Sequence, residues 1–356
     1  MARNITKAMH CTLILLSEGE EELTHLRVGL GEAGHFPDRI VRLGRESLLA
    51  QELSMGMERG NTVLCDPAGQ ARSLVARLPL RLLGEISDSS LFLTEGDAFL
   101  LVVRSRPDWL ALRPLLEERR PSCFARLLHC FPAPPAILQE WPRGCSLVQV
   151  EPHRGGWRIW LAEEGQAEIA IESLDRSERR LREACPSSYL GRSTLPLAVG
   201  KSLLARGLQV AVAESCTGGL LSHLLTEMPG ASAYFRQGLV VYSNEAKMAL
   251  LGIPASRLRE FGAVSSIIAE ELAQRVRQQA GTNLALGITG IAGPGGGTLK
   301  KPVGTVYLAL AGPEGVRSSF LQLTGNRSQI QEQAANWALF TLWRWLQRVP
   351  IPNPES

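Results

Sequence analysis

The apolar positions of the chain fall into two rhythms. Residues 12–16 (TLILL), 39–43, 62–65 and 98–103 are apolar throughout or at alternate positions, which predicts buried strands. Between them, residues 21–34, 47–59 and 107–118 repeat at helical spacing. Strands separated by helices of this length indicate βαβ units and a mainly parallel sheet. Pro132, Pro134 and Pro135 then punctuate the chain. Beyond them, residues 145–150 and 157–162 read as strands joined by a turn at 153–156, Ile169-Ala-Ile171 reads as a third strand, and 173–184 reads as a charged helix. The result is a small α+β module that ends in the turn-rich connector 186–196.

The last segment is the most sharply punctuated. Residues 197–206 predict a helix closed by Gly207, 209–213 a strand, and 218–228 a helix stopped by Pro229-Gly230. A strand over 238–242, a helix over 265–280 ended by Gly281, and strands over 284–288 and 304–310 follow. Ser328 and Gln331 have the spacing of a capping box and predict the start of a final helix running to about Leu346. No internal repeat or low-complexity segment interrupts the pattern.

Composition narrows the class. A chain of 356 residues has room for two or three domains. A net charge of +3 leaves no basic footprint, which weighs against nucleic acid as a partner. Cysteines at 11, 65, 123, 130, 145, 185 and 216 form no CxxC pair, so no zinc pattern is present. Their odd number and irregular spacing predict reduced thiols. Residues 1–10 carry charges and no apolar core, unlike a secretory signal. No apolar run reaches the length of a bilayer span. These features predict a soluble cytoplasmic protein with no membrane partner.

Candidate chemistry lies in three places. The strand over 209–213 runs into Glu214-Ser-Cys-Thr-Gly-Gly219 and then a helix. A hydroxyl at such a bend is exposed at a strand's C-terminal end, and a developing oxyanion there meets backbone donors. The GxSxG pattern is absent, and the alternative is that Ser215 or Thr217 only caps the helix. The next strand delivers Tyr242-Ser-Asn-Glu-Ala-Lys247. If the two strands are parallel neighbours, Ser215 and Lys247 share the sheet edge where α/β folds bind ligands. Glu214 is too acidic to deprotonate a serine unaided, and the last histidine, His223, falls inside a helix. A Ser–Lys pair therefore fits better than a triad, with lysine as base only if its pKa is lowered. The alternatives are a solvated Lys247 and a thiol nucleophile at Cys216. Third, the glycine-dense Thr289-Gly-Ile-Ala-Gly-Pro-Gly-Gly-Gly297 follows a strand without the lysine of a P-loop, and offers backbone to a phosphate or sugar. Arg327 could fork onto a phosphate.

In order along the chain, Ala213-Glu-Ser-Cys-Thr-Gly-Gly219, Tyr242-Ser-Asn-Glu-Ala-Lys247, Gly262-Ala-Val-Ser265, Thr289 to Thr298 and Lys301-Pro-Val-Gly-Thr305 resemble the C-terminal domain of the CinA family, the competence/damage-inducible proteins. That domain also exists alone as the bacterial nicotinamide-mononucleotide deamidase. The resemblance implies a three-layer α/β domain over 195–350 with a mainly parallel sheet. It also implies a Ser–Lys dyad at Ser215 and Lys247, needing no metal or organic cofactor. Substrate contacts are then expected at Glu214, Cys216, Thr217, Gly218, Gly219, Tyr242, Asn244, Thr289, Gly290, Gly293 and Arg327. The implied substrate is nicotinamide mononucleotide, and the implied assembly is a homo-oligomer, a dimer. Intact relatives carry a molybdopterin-binding-like domain, matched here by 1–125, and a small KH-like α+β module, matched by 126–190. The Thr-Gly-Gly loop and paired aspartates of that front domain are absent, since Asp66-Pro-Ala-Gly-Gln-Ala71 stands there. The later Pro-Gly-Val-Pro is replaced by Val103-Arg-Ser-Arg-Pro107. The front therefore reads as degenerate, without metal-dependent ADP-ribose hydrolysis. Asp88, Glu95 and Asp97 read as exposed turn residues, the alternative being that they rebuild a metal site from another loop. The alternative for the whole protein is a non-enzymatic interaction protein linked to competence or DNA damage.

Overall fold

The computed structural model describes residues 10–16, 20–43, 48–66, 71–78, 80–86, 89–93, 98–103, 107–117, 123–132, 147–153 and 156–348. The readings of residues 1–9, 67–70 and 104–106, and of Asp88, Glu95, Asp97, Pro134, Pro135 and Cys145, lie outside them. No helix among the described residues is long and apolar enough to cross a membrane. The chain divides into two compact units. One comprises residues 1–128, 136–150 and 159–184, and the other 129–135, 151–158 and 185–356.

The chain opens with β1 (His10–Leu15), α1 (Glu20–Glu32), β2 (Arg39–Arg42), α2 (Leu49–Arg59), β3 (Gly60–Cys65), α3 (Arg72–Val75), β4 (Arg81–Ile86), β5 (Ser89–Leu93), β6 (Phe99–Val103) and α4 (Trp109–Glu117). Its sheet has the order β2-β1-β3-β6-β5-β4. The first four strands are parallel, as the βαβ rhythm predicts, and β5 is antiparallel to both β6 and β4. At the end of β3, the Asp66 carboxylate is 1% exposed and accepts the Ala71 amide at 2.8 Å.

Next come β7 (Cys123–Cys130), β8 (Leu147–His153), β9 (Gly156–Glu164), α5 (Ala167–Ala184) and β10 (Tyr189–Gly191). The sheet order is β10-β7-β9-β8. The predicted third strand at Ile169-Ala-Ile171 is instead the first turn of α5. Ala170, Leu174, Ser177, Glu178 and Leu181 are its buried residues, while Ile169 and Ile171 are exposed. That spacing is helical, and over 18 residues it outweighs a three-residue apolar run.

The last part contains α6 (Leu195–Ala205), β11 (Val210–Glu214), α7 (Leu220–Thr226), β12 (Phe235–Val240), α8 (Asn244–Leu251), α9 (Ala255–Phe261), α10 (Ser266–Ala280), β13 (Leu284–Gly290), β14 (Thr305–Gly312), β15 (Gly315–Gln322) and α11 (Arg327–Leu346). The sheet order is β12-β11-β13-β14-β15. β11 pairs in parallel with both β12 and β13, and β14 pairs antiparallel with β13 and β15. Four of the five strands therefore point one way, and β14 alone is reversed.

The alternation Val210-Ala-Val-Ala213 explains the layers. Val210 and Val212 join Leu284, Leu286 and Ile288 in a core covered by α6, α7 and α11. Ala211, Ala213 and Ala285 face the other side, against α8, α9 and α10. Successive strand side chains point to opposite faces, so large residues fill one layer and small ones admit a closer helix on the other. At Gly287 the approach is closest, since a Cβ there would lie 2.3 Å from the Ala269 carbonyl of α10.

The capping box of α11 also differs from its expected place. Asn326 accepts the Gln329 amide at 3.0 Å, and the Gln329 side chain accepts the Asn326 amide at 2.9 Å. Ser328 and Gln331, which have the same spacing two residues later, lie inside the helix. Gly325, at φ 121°, is the backbone break that sets the earlier start.

Candidate active site

Registers place Glu214 opposite both Val240 and Ile288, so the C-terminal ends of β11, β12 and β13 lie side by side. The turn after β11 is held on both flanks. The Ser215 amide donates to Ile288 O at 3.0 Å, and the Val241 amide donates to Glu214 O at 2.7 Å. Gly218 and Gly219 take φ 64° and 104°, a region that costs any side-chain-bearing residue, and this lets the chain double back into α7.

Glu214 is fully buried. Its carboxylate accepts the amides of Gly219, Leu221 and Ser222 at 3.0, 3.0 and 2.8 Å, and the Ser222 hydroxyl at 2.6 Å. Its negative charge satisfies the open donors of α7. Glu214 therefore supports the turn from behind, a different place from the substrate contact expected of it.

Lys247 sits in α8, on the helix face turned inward, and is 1% exposed. Ser243 caps that helix by accepting the Ala246 amide at 3.0 Å. The Lys247 Nζ lies 3.1 Å from Ser215 Oγ, 2.9 Å from Val241 O and 3.2 Å from Tyr242 O. None of these oxygens carries a formal charge. Burial pushes the Lys247 pKa down, opposed in part by Cys216 and Glu245. In the neutral amine, two N–H groups meet the two carbonyls and the lone pair is left facing the serine hydroxyl. Cys216 is buried, and burial lifts its thiol to about 12, so it stays protonated near neutral pH.

Around this pair the remaining expected residues divide. Arg327, the first residue of α11, donates to Gly293 O at 2.6 Å and to the Tyr242 hydroxyl. The Tyr242 ring is half exposed, and Asn244 is exposed in the first turn of α8. Thr289 is buried with its hydroxyl donating to Ala263 O at 2.8 Å, so it braces the loop at 262–265. Gly290 belongs to β13, and a Cβ there would meet Thr305 O at 2.7 Å, so strand pairing requires that glycine. Gly293, at φ 80°, packs against Val303. Lys301 donates to Val264 O at 2.6 Å. The sequence reading placed Gln331 in a capping box and missed its contact here, where its side-chain amide donates to Cys216 O at 2.8 Å. No local signal marks it, because the contact spans 115 positions. Among the described residues no group of three or more His, Cys, Asp or Glu could hold a metal ion.

Fold and geometry together define a three-layer α/β domain with a serine and a buried lysine in contact at the C-terminal edge of its sheet. The family model of the CinA C-terminal domain matches residues 192–346. A CinA-like protein of Chlorobium limicola is 39% identical over 222 residues, covering 59% of this chain and 51% of the relative. A putative competence-damage inducible protein of Caldicellulosiruptor bescii is 45% identical over 264 residues, covering 69% and 64%. A solved CinA superfamily protein of Klebsiella pneumoniae is 33% identical, with 44% of this chain covering 97% of that one at a TM-score of 0.42. The chain belongs to the CinA family, and it spans about half the length of the first curated relatives it matches.

Proposed function

We propose that the domain hydrolyses the carboxamide of nicotinamide mononucleotide to nicotinic acid mononucleotide and ammonia. The observation that carries this reading is the contact between Ser215 Oγ and the Nζ of a buried lysine that makes no ion pair among the described residues. Neutral Lys247 takes the Ser215 proton as Oγ bonds to the amide carbon. The C–N bond then breaks, and the nitrogen leaves as ammonia with the proton from Lys247. Water, deprotonated by the same lysine, splits the ester and frees Ser215. Arg327 would meet the phosphate, and the exposed face of Tyr242 suits a pyridine ring. A competence-linked role without catalysis leaves unexplained why a lysine is buried here against a hydroxyl.

On the same reading, residues 1–125 form a degenerate molybdopterin-binding-like domain and 126–190 a small KH-like module. The buried carboxylate of Asp66, already engaged by the Ala71 amide, supports the loss of a metal site there. The decisive assay is ammonia release from nicotinamide mononucleotide by the intact chain and by Ser215→Ala and Cys216→Ala variants. We expect turnover in the intact chain and in Cys216→Ala, and none in Ser215→Ala. An inactive Cys216→Ala with an active Ser215→Ala would transfer the role to the thiol, and an inert intact chain would end the proposal.

A further inference from the structure

The turn at 215–219 has five backbone amides, and three of them are engaged. Ser215 donates to Ile288 O, Gly218 to Ser215 O, and Gly219 to the Glu214 carboxylate. The amides of Cys216 and Thr217 have no protein acceptor among the described residues, and Thr217 is set apart by its side chain. Thr217 is only 3% exposed, and its hydroxyl is likewise buried without a partner. Buried donors left unmatched are rare, because each costs the lost hydrogen bonds to water. Two such donors on one residue, two positions from the nucleophile, point to an acceptor that arrives with the substrate.

Gln331 controls where the amide points. Its side chain donates to Cys216 O, and that carbonyl shares a rigid peptide plane with the Thr217 N–H. Fixing one end of the plane fixes the opposite end. The cap at Asn326 makes this possible, because it leaves Gln331 free of any duty at the helix start. Gln331 also lies one helical turn beyond Arg327, on the same side of α11. One rigid helix thus holds both the Arg327 cluster and the peptide at 216–217.

We infer that Thr217, through its backbone N–H and hydroxyl, is the catalytic residue that holds the oxyanion, and that Gln331 is the positioning residue that aims it. This rests on the proposed serine chemistry and deepens it. Preorganised donors of this kind act on the charge that develops in the transition state and little on the neutral amide. Removing one therefore lowers kcat and leaves ground-state binding in place.

The test uses the full chain with Thr217→Val, Thr217→Ser, Gln331→Met and Gln331→Glu substitutions. Val removes the hydroxyl at constant shape, Met removes the donor at similar length, and Glu sets a carboxylate against the carbonyl. We expect Thr217→Val and Gln331→Met to lower kcat about 10- to 100-fold, Gln331→Glu further, and Thr217→Ser to recover most of the loss. The Kd for nicotinamide mononucleotide, measured in a Ser215→Ala background, should change less than about threefold. A second readout needs no nucleotide: the rate at which a fluorophosphonate labels Ser215 should fall in parallel, since phosphonylation also builds charge on an oxygen beside the serine. Slowed labelling with no ammonia from the intact chain would overturn the substrate reading and keep this inference. Labelling and kcat unchanged in Thr217→Val and Gln331→Met, with only the melting temperature lowered, would overturn it. Absence of Ser215 labelling in the intact chain would overturn both.

Discussion

At the scale of the residue, Lys247 carries the clearest consequence. A base must be neutral to accept a proton, so activity should rise with pH as Lys247 loses its own. Burial lowers its pKa from the ordinary 10.5, which moves the rising limb to lower pH. The pH profile of kcat/KM should climb and level off below 10.5. Lys247→Met and Lys247→Arg should each lower kcat by roughly 10³-fold or more, because an arginine cannot shed its proton at these pH values. An active Lys247→Arg protein, or a profile flat through this range, would remove the lysine from the base role. A second residue makes stability, rather than activity, depend on pH. His35 is buried in the first unit, its Nε2 meeting Leu116 O at 2.8 Å and its Nδ1 meeting the Asn61 amide at 3.1 Å. Those contacts fix a ring with one proton, and burial lowers its pKa below 6.5. The unfolded chain takes up a proton near 6.5 and the folded chain resists it. Stability is therefore full above that pH and drains as pH falls through the depressed folded value. Melting curves between pH 7.5 and 5 should show a smaller acid loss in His35→Gln than in the unaltered protein (a glutamine can serve both contacts without titrating). Equal losses would assign the acid sensitivity elsewhere.

At the scale of the element, legibility followed the length and regularity of the pattern. The helix over 266–280 and the strands at 210–214 and 284–290 were all read within two residues, because Gly281 and the short apolar runs mark their ends. β4, β5 and β15 were missed. β15 alternates intermediate and exposed positions and buries none fully, so apolar content alone gives it no contrast. α8 was missed too, since Ser243 reads as loop until its cap is seen. The serine and the lysine could be picked from their flanking strands, whereas the bracing roles of Glu214 and Gln331 depend on which helix end or carbonyl they reach. Gly287 shows the same limit. In sequence it interrupts a strand, while in space it admits the backbone of α10. Gly287→Ala should cost about 1–3 kcal/mol through overpacking, read as a fall in melting temperature. An unshifted transition would mean that α10 moves away freely, contrary to the close fit of Ala269 and Ala273 against the sheet.

At the scale of the whole molecule, the unit that holds Ser215 and Lys247 borrows from earlier chain. Phe131 is 2% exposed, with its ring centroid 5.4 Å from Trp337 and 5.0 Å from Phe340 of α11. Its amide donates to Ser188 O at 2.9 Å, and Arg344 donates to Ser187 O at 3.2 Å. A fragment of residues 193–356 keeps every strand of the five-stranded sheet and every residue around the Ser–Lys pair. It loses Phe131 and the 187–188 carbonyls, which leaves Trp337 and Phe340 open to water. The contacts made by Arg327 and Gln331 lie in the first two turns of α11, ahead of Trp337 and Phe340, and neither side chain bonds to Phe131, so the damage falls on stability before chemistry. Removing a buried phenylalanine side chain costs about 3–5 kcal/mol. In a domain of this size that corresponds to roughly 6–20 °C. We therefore expect the fragment to release ammonia from nicotinamide mononucleotide within about threefold of the full chain's rate, yet to melt at a clearly lower temperature than the corresponding transition of the full chain. Calorimetry beside the ammonia assay checks both halves. A fragment that melts as high as the full chain would show that the Phe131 cluster adds nothing to stability. A folded fragment without activity would show that the front of the chain helps to complete the site.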